Sequence, residues 1–272
     1  MRILEQLIVP KKPGSSGEDR AVVTADFAAV IDGATDKSKL TWQLDGCDGT
    51  GGWFAAKTIA AAIAALPAGI DAVTAVEKLR TALDAAIAAQ RPQLPVHQRP
   101  CASAVIYSAA RRELWSVGDC QWRMRGRTTH PTKWIDTITS EFRSAFLTAQ
   151  VAAGKPALGE DGTDPGREAI LPLLQVQQQF ANQPGRFGFG VLDGQPVPDE
   201  YVTVVPVPAG CEQLILASDG YPTLSDTCAE TEQALAAALA ADPLCIGELA
   251  GTKATEAGNV SYDDRTYLRL AV

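Results

Sequence analysis

The stretch Phe27–Gly33 reads FAAVIDG, a run of five apolar residues that ends in Asp32-Gly33. A short apolar run bounded by turn residues predicts a buried β-strand. A second stretch, residues 213–220, reads QLILASDG and ends in Asp219-Gly220 in the same way. Either Asp-Gly pair alone would indicate only a turn, because this dipeptide is common in turns. Together, the two stretches predict strands that each present a carboxylate at one end.

Three further predicted strands follow one another closely in the middle of the chain. They cover residues 102–108, 113–117 and 121–125, and only short turns separate them. Such spacing indicates antiparallel hairpins, because parallel strands need long crossover connections. Three more predicted strands cover residues 21–23, 202–207 and 266–271.

The predicted helices are rich in alanine. Residues 52–66 form one candidate, which stops at Pro67. Residues 71–90 form another, with Asp71 as its N-cap. We expect its buried face to carry five apolar residues, namely Val73, Val76, Leu79, Leu83 and Ile87. Residues 230–241 and 246–255 predict a second helix pair near the end of the chain.

The order of these elements is strands, two long helices, a strand meander, helices and strands again. This order favours an α+β fold, with antiparallel sheets covered by helices, over a doubly wound parallel sheet. Residues 127–199 are less regular, with possible helices at 139–153 and 168–180. We interpret residues 1–272 as a single domain with an irregular excursion at about 127–199.

The composition excludes several classes of protein. The chain has 46% hydrophobic residues and a formal net charge of -8. An acidic chain without a basic stripe is a poor candidate for nucleic-acid binding. No apolar run is long enough for a membrane helix, and the six cysteines form no zinc-binding spacing. We therefore expect a soluble, cytoplasmic protein with free thiols and no membrane or nucleic-acid partner.

Acidic residues recur at predicted strand ends throughout the chain. Glu18-Asp19 precedes the first predicted strand, Asp32 and Asp219 end two others, and Asp263-Asp264 precedes the last. Carboxylates that converge in a pocket repel one another unless protons or cations compensate them. Oxygen-only ligands suit hard cations such as Mg²⁺ and Mn²⁺. The ordered set therefore predicts a divalent metal site.

This ordered set resembles the PPM, or type 2C, family of metal-dependent protein serine/threonine phosphatases. The resemblance covers the chain from residue 17 to the C-terminus. The motifs that carry it are Gly17-Glu18-Asp19, Val30-Ile31-Asp32-Gly33, Gly51-Gly52 before a long helix, Val117-Gly118-Asp119-Cys120, Leu216-Ala217-Ser218-Asp219-Gly220 and Asp263-Asp264-Arg265-Thr266. No single motif is diagnostic, but six in the family's order are fairly specific.

The resemblance implies an α-β-β-α sandwich, in which two antiparallel sheets are flanked by helix pairs. It also implies two or three Mg²⁺ or Mn²⁺ ions in a cleft at one end. The residues that would hold these ions are Asp32, which bridges two of them, the Gly33 carbonyl, Asp219, Asp263, Glu18, Asp19 and, for a third ion, Asp119.

The sequence departs from the family pattern at four places. The family's phosphate-binding arginine is missing from the segment before Glu18, and Lys11 or Lys12 is the candidate substitute for binding substrate. Ala34 stands where many eukaryotic members carry a histidine. Residues 34–50 are an insertion that splits a compact glycine motif, and Asp264 replaces an asparagine.

The leading hypothesis is a Mg²⁺- or Mn²⁺-dependent phosphatase that acts on phosphoserine or phosphothreonine in a protein or peptide. Asp32 and Asp219 would be its central catalytic residues, and metal-activated water would attack phosphorus. Two alternatives stay open. The chain could be a catalytically weak or inactive regulatory or binding module of the same fold, or a phosphatase for a small phosphorylated metabolite.

Overall fold

A computed structural model describes residues 1–34 and 40–272, so part of the insertion at 34–50 lies outside the described residues. The strands are β1 (Arg2–Val9), β2 (Arg20–Val23), β3 (Phe27–Gly33), β4 (Trp42–Leu44), β5 (Cys47–Gly49), β6 (Ala102–Ser108), β7 (Glu113–Val117), β8 (Gln121–Met124), β9 (Arg127–Thr129), β10 (Thr203–Pro206), β11 (Gln213–Ala217) and β12 (Arg265–Ala271). The helices are α1 (Gly51–Ala64), α2 (Ala72–Gln90), α3 (Trp134–Ala152), α4 (Pro165–Val176) and α5 (Cys228–Ala241).

Ten of these strands form two five-stranded sheets. The first sheet has the order β10-β7-β6-β3-β2, and the second has the order β1-β12-β11-β8-β9. Every pairing in both sheets is antiparallel, including the predicted hairpin of β6 and β7. The predicted hairpin of β7 and β8 is wrong, because the chain passes from the first sheet to the second between these two strands. The remaining strands, β4 and β5, form a hairpin within the insertion. The predicted α+β class with antiparallel sheets is confirmed.

The alternation of side chains along β3 divides the core into two layers. Ala28 and Val30 belong to a cluster shared by both sheets, whose other members include Val105, Trp122, Leu214, Leu216 and Leu268. Phe27, Ala29 and Ile31 point the other way and pack with α1 and α2. Because successive side chains on a strand alternate between faces, Asp32 follows Val30 on the face between the sheets.

Helices α1 and α2 cover the outer face of the first sheet. The Asp71 side chain accepts a hydrogen bond from the Thr74 N–H at 2.9 Å, which confirms the predicted N-cap of α2. The predicted buried face holds for Val76, Leu79, Leu83 and Ile87 but is wrong for Val73, which is 51% exposed. Ala72 and Ala75 are buried instead, because the apolar stripe turns with the helical period of 3.6 residues.

On the second sheet, Leu235 of α5 packs in a cluster with Ile215, Ala217 and Tyr267. The predicted partner helix at residues 246–255 does not form. The Asp242 carboxylate accepts hydrogen bonds from the backbone N–H groups of Ile246, Gly247 and Leu249, at 3.0, 2.8 and 3.0 Å. These bonds stabilise a loop, and Gly247 and Gly251 lower the helix propensity of the segment.

The excursion at 127–199 contains helices α3 and α4, close to the two predicted positions. Arg143 of α3 is fully buried and ties the excursion to the loop after α5. Its guanidinium donates to the Asp164 carboxylate at 2.8 Å and to the carbonyl groups of Leu244, Cys245 and Gly251. Because a buried guanidinium needs all of these acceptors, the two segments hold one another in place.

The sequence also predicts free cysteine thiols and no membrane-spanning helix. All six cysteines are free, and four of them are buried. Across residues 1–34 and 40–272, the helices are too short or too polar to cross a bilayer.

A backbone contact joins the end of β3 to the start of α1. A Cβ atom at Gly52 would lie 2.7 Å from the Gly33 carbonyl oxygen, and one at Gly33 would lie 2.3 Å from the Gly52 carbonyl oxygen. Neither position can accept a side chain without a backbone shift. The Gly51-Gly52 pair therefore lets the helix begin directly beside Asp32-Gly33.

We expect Gly52→Ala to lower the free energy of unfolding by about 2 kcal/mol, because the added methyl group forces the two backbones apart. Gly69→Ala is the matched control, since a Cβ atom there meets nothing within 4 Å. Urea unfolding followed by circular dichroism measures both. Equal stability of the two variants would contradict the close contact.

Candidate metal centre

Three carboxylates meet at one end of the sandwich. One oxygen each of Asp32, Asp119 and Asp219 lies within 4.8 Å of the others. Asp119 is buried, and Asp32 and Asp219 are half-buried. These residues are far apart in sequence, so their convergence is a product of the fold.

The local structure explains this convergence. Asp32 lies near the end of β3, opposite Ser103 on β6. Asp119 lies in the tight turn between β7 and β8, where Gly118 adopts a φ of +91° that favours glycine. Asp219 follows the end of β11, which pairs with β8. Thus both sheets contribute to the cluster at the same end.

The acidic pair Glu18-Asp19 borders the cluster. Asp19 is 2% exposed, and among the described residues neither of its carboxylate oxygens has a hydrogen-bond partner of ordinary geometry. The Thr50 hydroxyl, which also caps α1, donates to Glu18 Oε1 at 2.5 Å. Glu18 is thus anchored, whereas the Asp19 carboxylate oxygens have no comparable hydrogen bond within the part of the chain that the structure describes.

Burial and mutual repulsion raise the pKa values of three carboxyl groups. Burial raises the pKa of Asp19 to about 7, with contributions from Asp264 and Asp263, although the nearby Ser218 and Thr266 hydroxyls oppose the rise. Burial also raises the pKa of Asp32, reinforced by Asp19 and Asp119. The pKa of Asp219 is raised by burial and then by Asp32 and Asp119. Without metal, their environment therefore favours the protonated form of each group over the form expected in water.

Lysines compensate Asp263, the predicted ligand at the start of the last strand. Lys11 Nζ lies 3.0 Å from Asp263 Oδ1, and Lys253 Nζ lies 2.9 Å from Asp263 Oδ2. Burial alone would raise the pKa of Asp263, but the two ammonium groups hold it at about 2. Lys11 also lies 3.5 Å from Glu18, so it bridges two predicted ligands.

A third lysine compensates Asp119. Lys133 Nζ lies 2.6 Å from Asp119 Oδ2, and the Ser103 hydroxyl donates to Asp119 Oδ1. Burial opposes ionisation of Asp119, but Lys133 and Ser103 together hold its pKa below the ordinary value. In turn, burial opposes the charge on Lys133, but Asp119 and Asp136 raise its pKa.

Asp264, which stands where the PPM pattern has an asparagine, has a structural role. Its Oδ1 accepts a hydrogen bond from the Lys11 N–H and its Oδ2 accepts one from the Glu18 N–H, both at 2.7 Å. An asparagine has only one acceptor oxygen and could not accept both bonds in this way. The carboxylate therefore fixes the N-terminal segment against the start of β12.

A cavity of about 550 Å³ opens beside the cluster. Asp119, Asp219 and Asp263 are among the residues that line it. Its lining also includes residues between 130 and 141, among them Lys133 and the start of α3, and residues 248–253, among them Lys253. The excursion thus forms part of the cavity wall, next to the carboxylates.

The structure brings most of the predicted site residues together. Asp32, Asp119 and Asp219 form the cluster, and Glu18, Asp19, Asp263 and the Gly33 backbone lie around it. Lys11 reaches Glu18 and Asp263, whereas Lys12 is exposed. Sequence reasoning missed Lys133 and Lys253, because no motif marks them and only the folded chain brings them to the carboxylates.

The donor set fits a hard divalent cation. It consists of carboxylate oxygens, two of which, on Asp19, are buried without a hydrogen-bond partner among the described residues. Such orphaned oxygens are what a bound cation would satisfy. Asp32 and Asp219, with raised pKa values, would lose their protons when a cation replaces them.

Comparisons with known proteins agree with the fold. No family model matches the sequence, and no curated protein matches it. Among solved structures, the serine/threonine phosphatase Stp1 from Staphylococcus aureus matches with a TM-score of 0.51 and 12% identity, over 100% of this chain and 96% of that chain. A bacterial serine phosphatase matches with a TM-score of 0.50 and 12% identity, over 100% of this chain and 98% of that chain. The chain therefore has the fold of PPM-type serine/threonine phosphatases.

The raised pKa of Asp19 predicts how the stability of the metal-free protein depends on pH. Its pKa rises from 3.8 to about 7 on folding, so the native state binds more protons than the unfolded state between these values. Stability therefore decreases as the pH rises across this interval, and Asp32 and Asp219 act in the same direction. With a chelator present, we expect a lower melting temperature at about pH 8 than at about pH 5.

Asp19→Asn should reduce this decrease, and Asp45→Asn, at a largely exposed position, should leave it unchanged. Adding Mn²⁺ should raise the melting temperature most at the higher pH. A melting temperature that rises between these pH values in the presence of chelator would contradict the protonated cluster.

Proposed function

We propose that this protein is a Mg²⁺- or Mn²⁺-dependent phosphomonoester hydrolase that removes phosphate from phosphoserine or phosphothreonine in proteins. The observation that carries the proposal is the convergence of Asp32, Asp119 and Asp219 within 4.8 Å beside an open cavity. The proposal is argued from this site, because one fold can carry many different functions.

Asp32, Asp219 and Asp19 are the residues that we assign to holding metal, with the Gly33 carbonyl, Glu18 and Asp263 beside them. When bound, the ions would activate a water molecule as nucleophile and offset the negative charge on the phosphoryl group. The ion pairs of Asp263 are partly exposed, so the attraction that holds Lys11 and Lys253 to it is modest. Asp263 can therefore exchange its lysines for a metal ion.

We assign Lys11 to the substrate phosphoryl group, in place of the missing arginine. Its ammonium already lies among the carboxylates, 3.0 Å from Asp263 and 3.5 Å from Glu18. A lysine released from Asp263 by metal would face the same site as a mobile positive charge. Unlike arginine it offers no bidentate fork, so we expect weaker and less directional phosphate binding.

The shape of the cavity supports a phosphorylated side chain as substrate. Its volume of about 550 Å³ lies within the range of small-ligand sites. Its lining is mixed, with Lys133, Lys253, Asp136 and Glu141 beside Pro131 and Leu249. This lining offers contacts to the residues that flank a phosphoserine or phosphothreonine.

A second candidate is a regulatory or binding module without catalytic activity. The observation that favours it is that Lys11, Lys133 and Lys253 already neutralise Asp263 and Asp119 without any metal. A protein whose acidic site is neutralised by its own lysines could stay folded after losing catalytic activity. Metal binding without turnover would identify this case.

We place the protein in the cytoplasm as one domain. The free thiols support a reducing compartment, since disulfides persist mainly in oxidising ones. The cluster shared by both sheets supports the single domain, because it joins residues from Ala28 to Leu270 in one core.

Asp32→Asn and Asp219→Asn should each reduce the Mn²⁺-dependent hydrolysis of an aryl phosphate by at least about a hundredfold, because each removes a charge that holds the metal. Asp45→Asn is the control, since this side chain is 73% exposed. Turnover is measured by release of the phenol, and Mn²⁺ binding by calorimetry. Full activity in either cluster variant would refute the assignment, and inactivity of a metal-loaded wild type would favour the binding module.

Lys11→Met should lower kcat/KM for a phosphopeptide by about tenfold to a hundredfold, which corresponds to the loss of one charged contact to phosphate. Lys12→Met should have little effect, because Lys12 is exposed. Calorimetry with Mn²⁺ separates a substrate effect from a metal effect. If the two variants have equal kcat/KM values, Lys11 does not bind substrate.

A further inference from the structure

Asp119 occupies the position that, by resemblance, would help to bind a third metal ion. In this chain both of its carboxylate oxygens are already engaged. Oδ2 pairs with Lys133 Nζ at 2.6 Å, and Oδ1 accepts a hydrogen bond from the Ser103 hydroxyl. The Asp119 side chain is only 12% exposed. Its charge is therefore compensated inside the protein.

Lys133 is held firmly in this position. It lies immediately before α3, and its carbonyl accepts hydrogen bonds from the N–H groups of Asp136 and Thr137, at 3.1 and 3.2 Å. Its ammonium lies 5.5 Å from the centroid of the Phe189 ring and 3.9 Å from Asp136. The backbone and the side chain of Lys133 are thus both fixed, and the ammonium points at Asp119.

The two carboxylates that pair with these lysines differ in exposure to solvent. The Asp263 side chain is 32% exposed, whereas that of Asp119 is 12% exposed. Water can reach Asp263 more easily than Asp119, and removing Lys133 would leave the buried Asp119 carboxylate with the Ser103 hydroxyl but without a compensating positive charge. A divalent ion bound to Asp119 would also lie close to the Lys133 ammonium, and the two positive charges would repel each other.

We propose that the Lys133 ammonium takes the place of a third divalent ion at Asp119, so that this chain holds two metal ions and not three. The inference rests on the proposed metal-dependent function, and it assigns Lys133 a role in setting the metal count. Lys133 is a positioning residue in this role, because it acts on the site through Asp119.

The test is the number of Mn²⁺ ions bound per full-length chain, measured by equilibrium dialysis and elemental analysis. We expect about two ions in the wild type and about three in Lys133→Met, in which the unpaired Asp119 recruits an additional ion. Lys253→Met is the matched control, because it removes an equally buried lysine from the half-buried Asp263 carboxylate, and it should leave the count at two. Circular dichroism checks that each variant is folded.

A count of three in the wild type, or of two in folded Lys133→Met, overturns the inference while leaving the proposed function intact. A count of zero in the wild type overturns the proposed function itself. If Lys133→Met does not fold, Asp119→Asn decides the question. A count that stays at two in this variant supports the inference, because Asp119 is then not a ligand, and a count that falls below the wild-type value overturns it.

Discussion

Electrostatic repulsion between carboxylates is the constraint on which the rest of this structure depends. Asp19, Asp32, Asp119, Asp219 and Asp263 come together at one end of the sandwich, where Asp19 and Asp119 are buried and the other three are partly exposed. Buried carboxylates remain stable only when protons or cations offset their charge. The chain uses both means, since the pKa values of Asp19, Asp32 and Asp219 are raised and Lys11, Lys133 and Lys253 pair with the others. The cavity, the N-terminal segment and the excursion all meet where this charge is balanced.

The two sheets bring the acidic residues together because they share one core. Val30 of β3 and Leu216 of β11 belong to this shared core, and an aspartate follows two residues after Val30 and three residues after Leu216. The backbone contact between Gly33 and Gly52 fixes the end of β3 against α1. Asp264 fixes the N-terminal segment in turn, because it accepts hydrogen bonds from the N–H groups of Lys11 and Glu18. The apolar core therefore positions the acidic residues, and hydrogen bonds set their orientation.

The parts of the fold that could be predicted from sequence are those that leave a local pattern. Apolar runs that end in Asp-Gly located β3, β11 and two carboxylates of the cluster. Strand β1 was missed, because its partner is β12 at the other end of the chain. The helix predicted at 246–255 was wrong, because the Asp242 side chain holds a loop there instead. Lys133 and Lys253 could not be found in advance, since a solvated surface lysine and a lysine buried against a carboxylate look the same in a sequence.

Asp263 and Asp119 both pair with lysine, but their side chains differ in exposure to solvent. Asp263 lies near solvent, where an ammonium and a hydrated metal ion can exchange at modest cost. Asp119 is buried against Lys133, where exchange would leave a charge unpaired. In the proposed metal site, a lysine is therefore easier to exchange for a metal ion at Asp263 than at Asp119. The proposed metal site and the internal Asp119–Lys133 ion pair can therefore coexist in one acidic cluster, because their carboxylates differ in exposure.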